Sequence, residues 1–129
     1  MWIVTKGGGF VSLVQHAEDA NYLRARARRR EHLADTFDLE PHELIDFGTN
    51  AADYRWHANV ERGRAAVAVF DAVHAVDYES HCKEEFAPLG DPVFYGALMD
   101  CWTALYRLQD PTRPRWTRRV WEETDALIG

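Results

Sequence analysis

The chain has 129 residues, 47% of them apolar and 28% charged, and a formal net charge of −6; that length suits one compact domain and is short for two ordinary ones. With cysteine only at Cys82 and Cys101, and no basic-then-apolar leader at the start, the composition argues against a disulfide-built secreted scaffold. The apolar-leaning stretches 65–76 and 93–108 are interrupted by Asp71, His74, Asp100 and Arg107, short of the ~20 apolar residues that cross a bilayer, and the acidic balance disfavours a general polyanion binder. A soluble, cytoplasmic protein with no membrane span is expected.

Residues 2–5 are apolar and β-branched, and Lys6-Gly7-Gly8-Gly9 supplies a turn before 10–16, so the chain opens as a hairpin. The glycine run lacks a following Gly-Lys-Ser/Thr and no helical pattern opens after it, so the P-loop and dinucleotide fingerprints both fail. Residues 22–28 alternate with period two, placing Leu23, Ala25 and Ala27 on one face of a strand and Arg24, Arg26 and Arg28 on the other. Leu33 and Phe37 then stand four apart in a short amphipathic helix over 29–37, which should end near Asp38 to Pro41. Residues 44–47 read as a brief strand ended by Gly48-Thr49-Asn50.

A second clean alternation over 53–60 puts Tyr54, Trp56, Ala58 and Val60 inward, with Arg55, His57 and Asn59 outward. From 62 to 76, Ala66, Val69, Phe70, Val73 and Val76 form the stripe of a helix lying on a sheet. Residues 78–86 predict a further helical turn or two, closed by Pro88-Leu89-Gly90-Asp91-Pro92. Phe94, Leu98, Cys101, Leu105 and Leu108 repeat at four, three, four and three, predicting a core-facing helix over 93–108 that Pro111 and Pro114 terminate. A last helix over 115–128 would carry Trp116, Val120, Thr124 and Leu127 on one side. The expected architecture is α+β: an antiparallel sheet of four or five strands, with the helices over 62–76 and 93–108 on one face and the other face partly open. Residues 1–109 form the expected domain, and 110–129 a helical appendage containing Arg and Trp.

The order of Met1-Trp2, Gly9-Phe10-Val11-Ser12, Tyr22-Leu23-Arg24-Ala25-Arg26, Asp53-Tyr54-Arg55, Val76-Asp77-Tyr78 and the late Trp102 resembles a family of small uncharacterised bacterial and phage proteins. The resemblance covers residues 1–108 and implies a whole chain rather than a fragment; it carries no activity and no catalytic residue. Glu79-Ser80-His81-Cys82-Lys83 departs from the Asn-Phe-Lys segment of that family, which weakens any shared role for the region.

Charge is segregated. Arginine outnumbers lysine thirteen to two, five arginines fall within 24–30, and eight carboxylates face Arg55 alone across 31–61. Same-face strand residues stand ~6.6–6.8 Å apart, so Arg24, Arg26 and Arg28, continued by Arg29 and Arg30, form a row suited to carboxylate or phosphate. Arg55 and His57 would join that row if their face is on the same side, with Ser12 or Gln15 adding polar contacts. The plainer alternative is a solvated face paired to the carboxylates of 31–61, at ~0–1 kcal/mol per pair.

His74 and His81 are seven apart, ~10.5 Å on one helix, which is too far for one ion, and Cys-x-x-Cys and His pairs at i and i+4 do not occur. Cys101 reads as a small core residue and Glu31-His32 as an isolated dipeptide on a helix surface. His57 with Asp53, or His81 with Cys82, are the candidate catalytic pairs, but Gly-x-Ser-x-Gly and His-Glu-x-x-His are absent. No catalytic residue, metal or cofactor is assigned. Trp116 and Trp121 lie among Arg113, Arg115, Arg118 and Arg119, a pairing common at interfaces, although the plainer reading has Trp116 stapling the tail to the domain. The expected function is a non-catalytic binding module, a small regulator or inhibitor acting on a protein partner; the alternative is nucleic-acid or nucleotide binding through the arginine face, and a third is an undetected hydrolase or metalloenzyme. A homodimer through the tail or the 94–108 helix is open.

Overall fold

A computed structural model describes residues 1–79 and 90–112. The chain divides into two compact units, Met1–Asp77 and Tyr78–Gly129. In the first unit, β1 (Trp2–Thr5), β2 (Gly9–Gln15), β3 (Tyr22–Ala27), β4 (Ile45–Asp46) and β5 (Trp56–Glu61) form one antiparallel sheet in the order β1-β2-β3-β5-β4. The helices α1 (Arg30–Phe37) and α2 (Arg62–His74) accompany it, with a short 3-10 turn at Pro41–Glu43. The fold is α+β.

The period-two alternation of β3 fixes which side the helices cover. Leu13, Ala25 and Ala58 stand in register across three strands, and with Val11, Ala27 and Val60 they form one core with Leu33 and Phe37 of α1 and Ala65 of α2. Three alanines in the middle of the sheet let α1 settle close, and Leu33, fully buried, fills the space. Burying a side chain of that size contributes ~1.5–3 kcal/mol.

The β1–β2 hairpin is fitted to α1 by its glycines. A Cβ on Gly8 would strike Thr36 and Thr5, and one on Gly9 would enter the His32 ring; Gly9 also has a φ of +108°, a backbone conformation that costs little only without a Cβ. His32 is therefore buried rather than on a helix surface, and its Nδ1 accepts the Phe10 N–H at 3.3 Å. The reason is register: His32 follows α1 round to the side that meets the hairpin.

The two longer helices form where periodicity places them, but rotated. On α2 the sheet-facing stripe is Ala65, Ala68, Val69 and Ala72, while Phe70 is 62% exposed and Val73 and Val76 also face outward. Small side chains allow the closer approach to the sheet, so the alanine stripe is buried and the larger one is not. Arg64 anchors this helix, donating to Glu43 Oε1 at 2.7 Å and to the Asp38 carbonyl at 2.8 Å.

In the second unit α3 spans Pro92–Tyr106, opened by Asp91, whose Oδ1 accepts the Phe94 N–H at 3.0 Å. Its buried residues are Leu98, Met99 and Thr103, whereas Cys101, Leu105 and Leu108, expected in the core, are exposed. The predicted turns over 78–86 lie mostly outside the described residues, as does the predicted helix over 115–128.

Candidate functional site

The face of the sheet opposite α1 and α2 carries the predicted arginines. Strand pairing aligns Trp2, Ser12, Arg26, His57 and Ile45 in one row across all five strands, and Val14, Arg24 and Asn59 in the next. Arg24, Arg26 and His57 are thus on one side with Ser12. Gln15 is not: it stands in register with Leu23 at the sheet's end and accepts from Arg62 Nη2 at 3.5 Å.

Arg24 and Arg26 are half-buried, and their partners are chiefly neutral. Arg24 Nη1 donates to His57 Nδ1 at 3.3 Å, and Arg26 Nη2 donates to Ser12 Oγ at 2.9 Å. The nearest carboxylate oxygen to Arg26, Asp53 Oδ2, is 3.9 Å away. The Nε–H of both arginines is shielded from solvent and has no acceptor. An unsatisfied buried donor costs ~1–3 kcal/mol.

His57 is held in one neutral tautomer. A guanidinium only donates and a carbonyl only accepts, so Nδ1 is the acceptor from Arg24 and Nε2 carries the proton donated to the Tyr54 carbonyl at 3.1 Å. Burial pushes the His57 pKa below its ordinary value, with the Arg24 and Arg26 charges acting in the same direction; the Tyr54 carbonyl and Asp53 act against them. Both nitrogens being engaged, the predicted His57–Asp53 pair does not form a hydrogen bond.

Tyr54 departs from the predicted alternation. It precedes β5 and is buried at 5% exposure but outside the apolar cluster, with the Arg26 and Arg28 guanidinium carbons 4.7 and 4.3 Å from its ring centroid. The connection that carries it is closed by the Phe47 N–H donating to the Arg55 carbonyl at 2.8 Å and by an Asp46 Oδ1 bond from the Gly48 N–H, Gly48 having a φ of +84°. That closure also brings the Phe47 ring to 4.3 Å from His57 while leaving Phe47 54% exposed.

The remaining predicted residues disperse. Arg28 lies beyond β3, is exposed, and meets Asp53 Oδ1 at 3.3 Å. Arg29 caps α1, 4.0 Å from Glu31, and Arg30 begins that helix, its guanidinium 6.0 Å over Trp56. Arg55 does not join the row: it grips Asp46 with Nε at 2.8 Å and Nη2 at 3.0 Å. That grip, with the Gly48 N–H, holds the Asp46 carboxyl down to about 2. A two-pronged carboxylate contact outcompetes the outward position that alternation assigns to Arg55. Trp116 and Trp121 lie outside the described residues, as do His81 and Cys82. His74 stacks on Phe70 at 4.5 Å. Among the described residues no group of three or more His, Cys, Asp or Glu side chains is placed to hold a metal ion, and no helix is long and apolar enough to cross a membrane.

Sequence reasoning did not anticipate the apolar rim. Trp2 is 73% exposed and packs its ring 5.8 Å from Phe10; with Val14, Ile45 and Phe47 it surrounds the arginines with exposed apolar surface. The available signal was the alternation of β1 and β2, which puts Trp2, Phe10 and Val14 on the arginine side. No protein-family model, curated protein or solved structure matches the chain.

Proposed function

We propose that the protein is a non-catalytic binding module of the cytoplasm, a small regulator or inhibitor that docks a protein partner on the open face of its sheet. The observation that carries this reading is the make-up of that face: half-buried arginines whose hydrogen-bond partners are neutral, with Asp53 no nearer than 3.9 Å to Arg26, set within a rim of exposed Trp2, Val14, Ile45 and Phe47. Arginine and large aromatics dominate the energetic centres of protein interfaces, because each buries area while keeping a directed contact. The complementary partner surface is apolar with an acidic centre.

Nucleic-acid or nucleotide binding is the second reading, favoured by the same-face spacing of Arg24 and Arg26. Two features oppose it: Asp53 already lies against Arg26 and Arg28, and the net charge of −6 repels a polyanion at long range.

Affinity capture from the native host separates them, comparing the full chain with an Arg24→Glu/Arg26→Glu variant and with Trp2→Ala. The expected result is a protein retained through moderate salt and lost with both variants. Recovery of nucleic acid that dissociates steeply with salt would favour the second reading, and capture unchanged by all three substitutions would remove the open face from consideration.

A further inference from the structure

Two arginines on the open face differ from Arg55 and Arg64. Arg55 and Arg64 each hold a carboxylate through paired short contacts. Arg24 has one bond, to a neutral imidazole nitrogen, and Arg26 has one, to a hydroxyl, with a carboxylate oxygen no nearer than 3.9 Å. Each guanidinium has five donors, and in each the Nε–H is buried and unanswered. Holding half-buried cations against neutral partners is unfavourable unless an anion completes the arrangement. Between them stands His57, whose Nδ1 is occupied only as an acceptor.

We propose that Arg24, Arg26 and His57 form a seat for one carboxylate of the docking partner, and that His57 takes up a proton as the carboxylate arrives. The proposal rests on the docking reading above and adds its ligand class and its regulation. The proton comes from solvent onto Nδ1, breaking the Arg24–His57 hydrogen bond. Arg24 and the new Nδ1–H then both donate to the carboxylate, while Nε2 keeps its bond to the Tyr54 carbonyl. No covalent bond changes apart from that N–H.

The charges facing His57 set the sign. From β3 they are Arg24 and Arg26, which oppose protonation, and from the connection before β5 it is Asp53, which favours it. From β4 come Ile45 opposite His57 in register and the neighbouring Phe47 ring, both uncharged. On its own strand side, Arg55 is neutralised by Asp46. A carboxylate placed against Arg24 cancels the opposing field, so binding favours imidazolium, and by linkage lower pH favours binding. A carboxylate suits the seat better than a nucleic-acid backbone, because Asp53 and the apolar rim bound it to one site rather than a track.

The test is NMR on the full-length, isotope-labelled chain, following the His57 ring and the Arg24 and Arg26 Nε–H signals with a hexaglutamate peptide. Hexaglutamine and a short oligothymidylate serve as the comparison probes. Hexaglutamate should move all three sets of signals and raise the His57 pKa by about one unit, so that its affinity rises toward a limit of about tenfold as pH falls through the bound and free His57 pKa values. Arg24→Met should abolish the response, and His57→Gln should bind with pH-independent affinity. Larger shifts with oligothymidylate than with hexaglutamate would overturn the carboxylate assignment. An equal rise in affinity at low pH in His57→Gln would overturn the proton coupling. No response to hexaglutamate overturns the seat itself; if Trp2→Ala still abolishes capture of the protein partner in that case, the docking reading survives without it.

Discussion

The two faces of one sheet follow opposite rules. On the helix-covered side Leu13, Ala25 and Ala58 lie in one register row and form one buried apolar cluster with Leu33 and Phe37. One residue along each strand, the row is polar and cationic, with Ser12 buried and Arg26 and His57 half-buried, and its donors are incompletely answered. Because successive strand side chains point to opposite faces, the same backbone hydrogen bonds support both. The covered side holds the apolar cluster, and the open side holds two buried Nε–H donors without an acceptor.

Substitutions on the covered side should therefore cost most. Leu33→Ala opens a cavity beneath α1 and is expected to lower unfolding free energy by ~2–5 kcal/mol, read as a shift in the urea midpoint with an unchanged slope. Gly9→Ala should cost ~1–3 kcal/mol through its strained backbone, with the His32 collision adding to it. Gly7→Ala, at a position where a Cβ meets nothing within 4 Å, should be close to neutral; equal losses at both glycines would contradict the fit of the hairpin to α1.

On the open side the effects turn smaller and pH-dependent. The His57 pKa is lowered in the fold, so its contribution to stability is fully present above about pH 6.5 and is lost as pH falls through the lowered folded value. Urea midpoints should show the wild type losing stability relative to His57→Gln on acidification through that window, and parallel curves would show that His57 is not held neutral. Smallest of all, Phe70→Ser on the outward side of α2 should stay within ~0.5 kcal/mol of wild type. A larger loss there would place Phe70 in the core, where periodicity alone had put it.

That last contrast shows where reading the sequence succeeds and where it runs short. Period-two alternation located β3 and the covered side of the sheet, since Leu23, Ala25 and Ala27 leave no other way to bury apolar area. Helical periodicity located α2 and α3 and placed Leu98 correctly, but it put Phe70, Val73, Cys101 and Leu105 inward; on α2 a stripe of large residues outweighs a stripe of alanines in any apolar sum. Packing against a sheet selects for close approach, and Ala65 and Ala68 win. Tyr54 was misplaced because alternation was extended past the start of β5 into a connection shaped by Asp46 and Gly48. The cation row was found at Arg24 and Arg26, yet Arg55 was drawn from it by Asp46, a pairing between strands that no spacing rule contains.

The central claim is that the arginines of the open face serve recognition rather than the fold, and the urea stability of Arg24→Met tests it most directly. Methionine keeps much of the aliphatic length while removing the charge and the unanswered Nε–H. The account predicts stability within ~1 kcal/mol of wild type at neutral pH, because removing the unanswered Nε–H offsets the loss of one hydrogen bond to His57 Nδ1. A loss of more than ~2 kcal/mol, the range of a broken buried network, would show that Arg24 is there to hold the sheet together.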